Sequence, residues 1–199
     1  LRSGFINQSR YLASQAGMPF WCHQSNRRVG NLAYAGNGFL SRYEPESVRE
    51  FRLPGAIPGR GSLVAYFGDE ENRLAVSVVH LALGRRTRAQ QIQFQTRALS
   101  DNPNLLVMGD MNAPTVSREL TEFINSLGLK APTEGLASYP SWQPQRAIDH
   151  ILVSEQLETS HGGVLDVPLS DHCPVELHVR LPPGIGLTPA TRPVVSIEA

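Results

Sequence analysis

Short apolar runs separated by glycine, asparagine and proline turns dominate this chain and predict a protein built mainly from β-strands. The runs GSLVAYF and RLAVSVVHLAL flank the acidic turn GDEEN, which is the pattern of a hairpin between two apolar strands. The run LLVM at 105–108 is apolar throughout and predicts a strand buried on both faces. Two later strands, RAIDHILVS and CPVELHVR, follow, and the second alternates apolar with polar residues.

Helical periodicity appears in two segments that follow predicted strands. Their apolar faces are Ala89, Ile92, Thr96 and Leu99 in the first segment, and Leu120, Phe123, Ile124 and Leu127 in the second. A helix-like pattern also opens the chain, and it ends before Gly17. Strands dominate and the helices have one apolar face each, so the expected architecture is two sheets packed face to face with helices outside.

The composition is typical of a globular protein and does not indicate a disulfide-rich or membrane-spanning one. The chain has 199 residues, of which 41% are hydrophobic and 18% charged, as expected for one globular domain. Cys22 and Cys173 lie far apart and lack metal-ligand spacing, so neither a disulfide framework nor a zinc site is predicted. The sequence contains no apolar run of membrane-spanning length and no signal-like start, so the default expectation is a soluble, cytoplasmic protein, while its compartment stays open.

Charge gives weak information about the substrate. Eighteen basic residues balance eighteen acidic ones, so no global positive field favours nucleic acid. Nucleic acid remains a possible partner, although neutrality does not favour it. The basic stretch GRRTR at 84–88 is read as solvated surface at the start of a helix and is left out of the site.

Polar residues recur where predicted strands end. Each of them alone has an ordinary explanation, because Gly, Asp, Asn and Pro end strands for conformational reasons and isolated histidines are common. Together they supply what the hydrolysis of a phosphate ester requires: carboxylates for a divalent cation, a base for water and donors for phosphate oxygens. The set comprises His80, Asp110, Asn112, Asp149, Asp171 and His172.

The ordered motifs VVHLAL, VMGDMNAP, AIDHILVS and LSDHCPV strongly resemble the endonuclease/exonuclease/phosphatase superfamily. The resemblance runs from about Asn37 to Arg180, and SYPSWQPQRAIDHILVS is most similar to small bacterial members. It implies an α/β (α+β) fold of the DNase I type, a four-layer α-β-β-α sandwich of two mostly antiparallel sheets. It also implies hydrolysis of a phosphomonoester or phosphodiester with Mg²⁺ or Mn²⁺.

The resemblance assigns roles to the polar set. His172 would activate the attacking water or contact the phosphate, and Asp149 would hold its imidazole. Asp171 would belong to the metal shell, and Asp110 would orient the water or lie beside a metal. The remaining roles are donation to a phosphate oxygen by Asn112, and stabilisation of the transition state or assistance to the leaving group by His80.

The start of the chain departs from the family pattern. A first strand with an Asn and a second ending in a metal-binding Glu are both missing before Leu1. The expectation is therefore an N-terminally truncated member that binds Mg²⁺ weakly. An unpaired sheet edge would then invite self-association.

Two interpretations of the chain follow. In the first, residues 1–181 form a catalytic domain, incomplete at its N-terminus, and 182–199 form a Pro/Gly-rich tail. In the second, the chain is an impaired or inactive member that acts as an interaction module. Trp142 is a weak candidate for substrate binding, because its ring can stack on a base or cover a lipid or sugar. The alternative is that Trp142 anchors a loop on the sheet.

Overall fold

The computed structural model describes residues 7–29, 33–55, 59–167 and 169–191, which form helices and strands in a mixed order. In chain order the elements are α1 (Gln8–Ala16), β1 (Phe20–Val29), β2 (Ala33–Ser41), β3 (Tyr43–Glu44), β4 (Ser47–Arg52), β5 (Gly61–Phe67), β6 (Leu74–His80), α2 (Arg85–Leu99), β7 (Asn104–Asp110), α3 (Arg118–Ser126), β8 (Leu129–Lys130), β9 (Asp149–Ser154), β10 (Glu158–Val164), β11 (Val175–Arg180) and β12 (Thr188–Pro189).

Six strands form the central sheet in the order β4-β5-β6-β7-β9-β8. Its pairs are antiparallel except β6 with β7, and a parallel pair requires a crossover, which α2 provides. Side chains alternate between the two faces of a strand. In β5, Val64 and Tyr66 therefore contribute to the apolar cluster on the first face, and Leu63 and Ala65 to the cluster on the second face.

Helices α2 and α3 cover the first face of this sheet. Ile92 of α2 and Phe123 of α3 pack there against Val107 of β7. A buried ion pair joins the helices, since Arg88 donates from Nη2 to Glu119 at 2.7 Å and from Nε at 3.0 Å. Such a pair is costly to bury but also costly to break, so it fixes how the two helices meet.

Two hairpins cover the second face. β1 pairs with β2, and β10 pairs with β11, both antiparallel. Phe20 and Phe39 of the first hairpin pack against Phe67 of the sheet. Helix α1 lies on the outer side of this hairpin, where its Ser9 is close to Gly38 of β2. The layers therefore run from α2 and α3 through the central sheet and the hairpins to α1, which is the predicted four-layer order.

The second layer differs from a continuous sheet. Within the described residues, β2 pairs with β1 and β11 pairs with β10, and these two hairpins form separate sheets. A cavity of about 340 Å³ lies between them, lined among others by Leu40 of β2, Met108 of β7 and Val175 of β11. Among the described residues, neither β2 nor β11 has a second strand partner on the side of this cavity. Self-association through such an edge stays a prediction, and static light scattering tests it.

The segment predicted as a tail is partly in contact with the rest of the chain. β12 pairs with β3, and Ala190 is buried against the second face of the sheet. Residues 192–199 of the predicted tail lie outside the described residues. Among the helices that the structure describes, none is long and apolar enough to cross a membrane.

Candidate active site

Three of the predicted site residues form one row across the central sheet. His80 ends β6, Asp110 ends β7 and Asp149 begins β9. His80 is the register partner of Asp110 in the parallel pair, and Asp110 is the register partner of Asp149 in the antiparallel pair. Because residues in one row of a sheet project to the same face, the three strands bring an imidazole and two carboxylates together.

His172 joins this row from the loop before β11. Its Nδ1 lies 2.7 Å from Oδ2 of Asp149, and the same oxygen accepts a hydrogen bond of 2.5 Å from the Ser138 hydroxyl. Nδ1 donates to the carboxylate, since an ionised carboxylate only accepts. In the neutral form of the ring the proton therefore lies on Nδ1, and Nε2 is an acceptor.

The loop around Ser138 holds His172 in place. The Cys173 backbone N–H donates to the Ser138 carbonyl at 2.8 Å, and the Tyr139 ring lies against the His172 ring with 4.7 Å between centroids. Arg146 in turn lies over the Tyr139 ring. Together with the hydrogen bond to Asp149, these contacts restrict the orientation of the imidazole.

Asp110 is held by two predicted neighbours. His80 Nε2 lies 3.2 Å from Asp110 Oδ2, and the backbone N–H of Asn112 donates to Oδ1 at 2.9 Å. Burial alone would raise the pKa of Asp110. The hydrogen bond and charge of His80, the Asn112 N–H and the charge of His172 outweigh burial, so the pKa of Asp110 lies below its ordinary value. Asp110 is therefore a carboxylate at neutral pH.

Asn112, which the resemblance assigns to a phosphate oxygen, lies just beyond the end of β7. It has a positive φ of 52°, so the chain has already left the extended conformation. Its side-chain amide donates to the Leu81 carbonyl at 2.9 Å and contacts Asp110 Oδ2 at 3.3 Å. In this structure Asn112 supports Asp110, and donation to a phosphate oxygen stays a prediction.

Asp171 and Trp142 lie beside the row. The Asp171 carbonyl accepts from the Ser141 N–H at 2.9 Å, and its carboxylate accepts from the Ser170 hydroxyl at 3.0 Å. Trp142 is 74% exposed, so the alternative in which it anchors the loop on the sheet is wrong. Ser141 connects the two segments, which places the Trp142 loop next to the His172 loop.

The site contains residues that sequence reasoning missed. Ser138 and Tyr139 lack a distinctive spacing to Asp149 and lie in a loop that reads as ordinary turn sequence. Arg60 precedes β5, whose Gly61 lies next to the His80 end of the sheet. Partial burial lowers the pKa of Arg60, the charge of Asp110 raises it and that of Arg27 lowers it again. Arg60 stays charged, so it adds positive potential near Asp110.

A divalent cation fits the donor set of this site. Ligand atoms of Asp110, Asp149 and His172 all lie within 4.8 Å of one another, and Asp171 is not a member of this group. Both described hydrogen bonds to the Asp149 side chain use Oδ2, which leaves Oδ1 available. Carboxylate oxygens are ligands that hard divalent cations take, with water completing the shell.

The buried His150 makes folding depend on pH. It lies between Asp149 and Ile151 in β9, and its Nε2 is 2.9 Å from the Ala113 carbonyl. Burial lowers the pKa of His150, although the Ala113 hydrogen bond opposes this shift. The unfolded chain then takes up a proton that the folded chain resists. The contribution of His150 to the free energy of unfolding is therefore complete above about pH 6.5, the pKa of histidine in an unfolded chain. It decreases as the pH falls towards the pKa of His150 in the folded chain.

Urea denaturation between pH 8 and pH 5 measures this effect. We expect the midpoint to fall with pH in the wild type and to fall less in His150→Gln, whose amide can still donate to Ala113 but does not titrate. Equal pH dependence in the two proteins would exclude His150 as the source.

The sequence profile of the Endonuclease/Exonuclease/phosphatase family matches residues 5–172. No curated protein sequence matches the chain. Among solved structures, a mannosyl-6-phosphatase of Bacteroides thetaiotaomicron is similar with a TM-score of 0.67 and 15% identity, covering 84% of this chain and 79% of that one.

Two further similar structures come from animals. The human Nocturnin catalytic domain, solved with a bound sulfate anion, has a TM-score of 0.67 and 17% identity over 88% of this chain and 78% of that one. TDP2 of D. rerio, solved with a single-strand DNA product, has a TM-score of 0.64 and 15% identity over 84% and 79%. At these identities the similarity shows the fold, and the predicted DNase I-like α/β architecture is confirmed.

Proposed function

Because this chain belongs to the endonuclease/exonuclease/phosphatase family, we propose that it hydrolyses a phosphate ester with the help of Mg²⁺ or Mn²⁺ at the His172 site. The observation that carries the proposal is the 2.7 Å hydrogen bond between Asp149 and His172 beside the carboxylate of Asp110. The match to the family supports phosphoester hydrolysis.

His172 is the proposed general base. With Nδ1 held by Asp149, Nε2 can accept a proton from a water molecule as that water attacks phosphorus. Asp149 favours this tautomer and stabilises the imidazolium that forms, which is the function of the carboxylate in other triads. Ser138 fixes the Asp149 carboxylate in turn.

Asp110 and Oδ1 of Asp149 are the proposed holders of the cation, and Asp171 stays a predicted member of the metal shell. When bound, the cation supplies Lewis-acid stabilisation of negative charge on the phosphate oxygens. Asp110 suits this role because its lowered pKa keeps it ionised at neutral pH.

His80 is the proposed partner of the leaving group. It is 42% exposed in its side chain, so a substrate can reach it, and its Nε2 contacts Asp110 at 3.2 Å. A protonated imidazole paired with a carboxylate can stabilise developing charge or donate a proton to the departing oxygen. In the structure His80 and His172 flank Asp110 on different elements, which suits an acid and a base at opposite ends of one reaction.

Hydrolysis of simple aryl esters tests the proposal. We expect release of nitrophenol from bis(4-nitrophenyl) phosphate or 4-nitrophenyl phosphate to require Mg²⁺ or Mn²⁺ and to stop with EDTA. Asp110→Asn should raise the metal concentration needed for half-maximal rate, since it removes a charged ligand. Activity that resists EDTA would contradict the proposal. Absence of hydrolysis in the folded protein with either cation would favour the interaction-module alternative.

Arg60→Gln is expected to weaken substrate binding. The charge of Arg60 interacts with Asp110, so it would attract a phosphate at the proposed site both before and during reaction. KM should therefore rise about tenfold, while kcat changes little. Steady-state kinetics with the diester measures both constants. Arg97→Gln, on the exposed side of α2, is the matched loss of charge and should leave KM unchanged. Equal effects of the two substitutions would show that only net charge matters.

A further inference from the structure

A second group of metal-ligating side chains lies on the β10–β11 hairpin, away from the proposed active site. Glu176 and His178 are two residues apart in β11 and therefore share one face of the hairpin. His161 of β10 lies on the same face, with its Nε2 3.0 Å from Oε1 of Glu176. Two imidazoles and one carboxylate thus converge on one side of a two-stranded ribbon.

The distance between the imidazoles fits a shared metal ion. The ring centroids of His161 and His178 are 5.2 Å apart, with the planes inclined by 57°. Two imidazoles bound to one tetrahedral zinc ion, at about 2.1 Å from metal to nitrogen, place their centroids roughly 5 Å apart. The ligand atoms of Asp110, Asp149 and His172 already lie within 4.8 Å of one another, whereas the hairpin group comes together only when the exposed His178 ring turns about its side-chain bonds.

Backbone features of the hairpin keep this face open. The strand register shifts between Thr159 and Gly162, which is where His161 lies. Gly163 opposes Glu176, and a methyl group there would lie 3.5 Å from both Glu176 Oε1 and His161 Nε2. Because residue 163 is glycine, no side chain at that position covers the two ligand atoms.

We propose that His161, Glu176 and His178 form a surface site for Zn²⁺, with water as the fourth ligand. Two nitrogen ligands and one carboxylate are a donor set that zinc takes with an open fourth position, whereas Mg²⁺ prefers oxygen donors. The ion would join β10 to β11 in a hairpin whose β11 edge has no second strand partner among the described residues. This site does not depend on the proposed hydrolytic function.

Zinc titration of the purified protein, followed by two-dimensional NMR of the histidine ring nitrogens, tests the proposal. We expect ZnCl₂ to shift the ring signals of His161 and His178. Calorimetry should show a zinc affinity at least tenfold lower in each of three variants, His161→Gln, Glu176→Gln and His178→Gln. The loss of a metal ligand lowers the affinity at least as much as the loss of a contact that supports a ligand. Glu158→Gln on the same hairpin is the matched control, since its exposed carboxylate pairs with Arg180.

The proposed active site can also take up zinc, so His172→Ala separates the two sites. Zinc binding that persists in His172→Ala and weakens in His178→Gln supports the hairpin site. Binding that is lost in His172→Ala and unaffected by His178→Gln overturns it. If a hairpin variant fails to fold, the wild-type NMR titration decides: unshifted His161 and His178 signals at saturating zinc overturn the proposal.

Discussion

His172→Ala is expected to lower kcat/KM for phosphate-ester hydrolysis by about 10³-fold, the typical contribution of a general base. The substitution removes the Nε2 acceptor and leaves Asp149 without its hydrogen-bonded imidazole. The carboxylates of Asp110 and Asp149 remain, so metal binding should weaken far less than turnover. Initial rates with saturating metal, together with metal titration, separate the two effects.

Asp149→Asn is expected to lower the rate of hydrolysis as well. An amide nitrogen facing Nδ1 would favour the tautomer with its proton on Nε2, and that tautomer cannot accept a proton from water. A double substitution of Asp149 and His172 should lose little more than the worse single one, since the two act as a unit. His23→Gln, on β1, controls for the loss of an imidazole elsewhere. Full activity of His172→Ala would show that water is activated by another group.

Gly109→Ala is expected to have the largest effect on stability, with a loss of about 3–5 kcal/mol in the free energy of unfolding. Gly109 has a φ of 137°, a region that side chains rarely adopt, and an added Cβ would lie 2.0 Å from the Val79 carbonyl oxygen. Strands pair on both sides, with Val79 and His150 as register partners, so the backbone cannot move away. Urea denaturation measures the loss.

Gly186→Ala is the matched control for this substitution. An added Cβ at Gly186 meets no atom within 4 Å, and its φ lies outside the range that disfavours side chains. Its stability should change by less than about 0.5 kcal/mol. A Gly109→Ala protein as stable as Gly186→Ala would mean that β7 tolerates a side chain at the turn into the site.

The strand pattern predicted the row of site residues because strand ends are visible in sequence. Apolar runs ending in His80 and Asp110, and a run beginning at Asp149, each mark one end of a strand. Once β7 lies between β6 and β9, those ends must meet at one edge of the sheet. The expected roles of these residues came from the family resemblance, whereas their proximity follows from the order of the strands in the sheet.

Other features depended on contacts that no local pattern encodes. Arg88 belongs to the stretch read as solvated surface, yet it is buried against Glu119 from another helix. Ser138 contacts Asp149 through a loop that returns to the sheet. Both contacts join residues whose meeting depends on the tertiary packing, so their side chains look like ordinary surface or turn positions in the sequence.

The pattern of apolar and polar residues also could not predict which strands pair in the second layer. Alternation identified β11 correctly but did not specify its neighbour, because an apolar face requires burial and not a particular partner. In the described residues β11 pairs with β10 and β2 pairs with β1, and a cavity separates the two hairpins. Pairing of strands distant in sequence is set by the whole fold.

Hydrolysis in water labelled with ¹⁸O tests most directly the claim that His172 activates water for attack at phosphorus. The protein, Mg²⁺ and a bis-aryl phosphodiester or aryl monophosphate are incubated in labelled water, and mass spectrometry of the products locates the label. We predict one ¹⁸O in the phosphate product, none in the aryl alcohol, and loss of the reaction in His172→Ala. Label in the alcohol, or no metal-dependent product from the folded protein, would contradict the account.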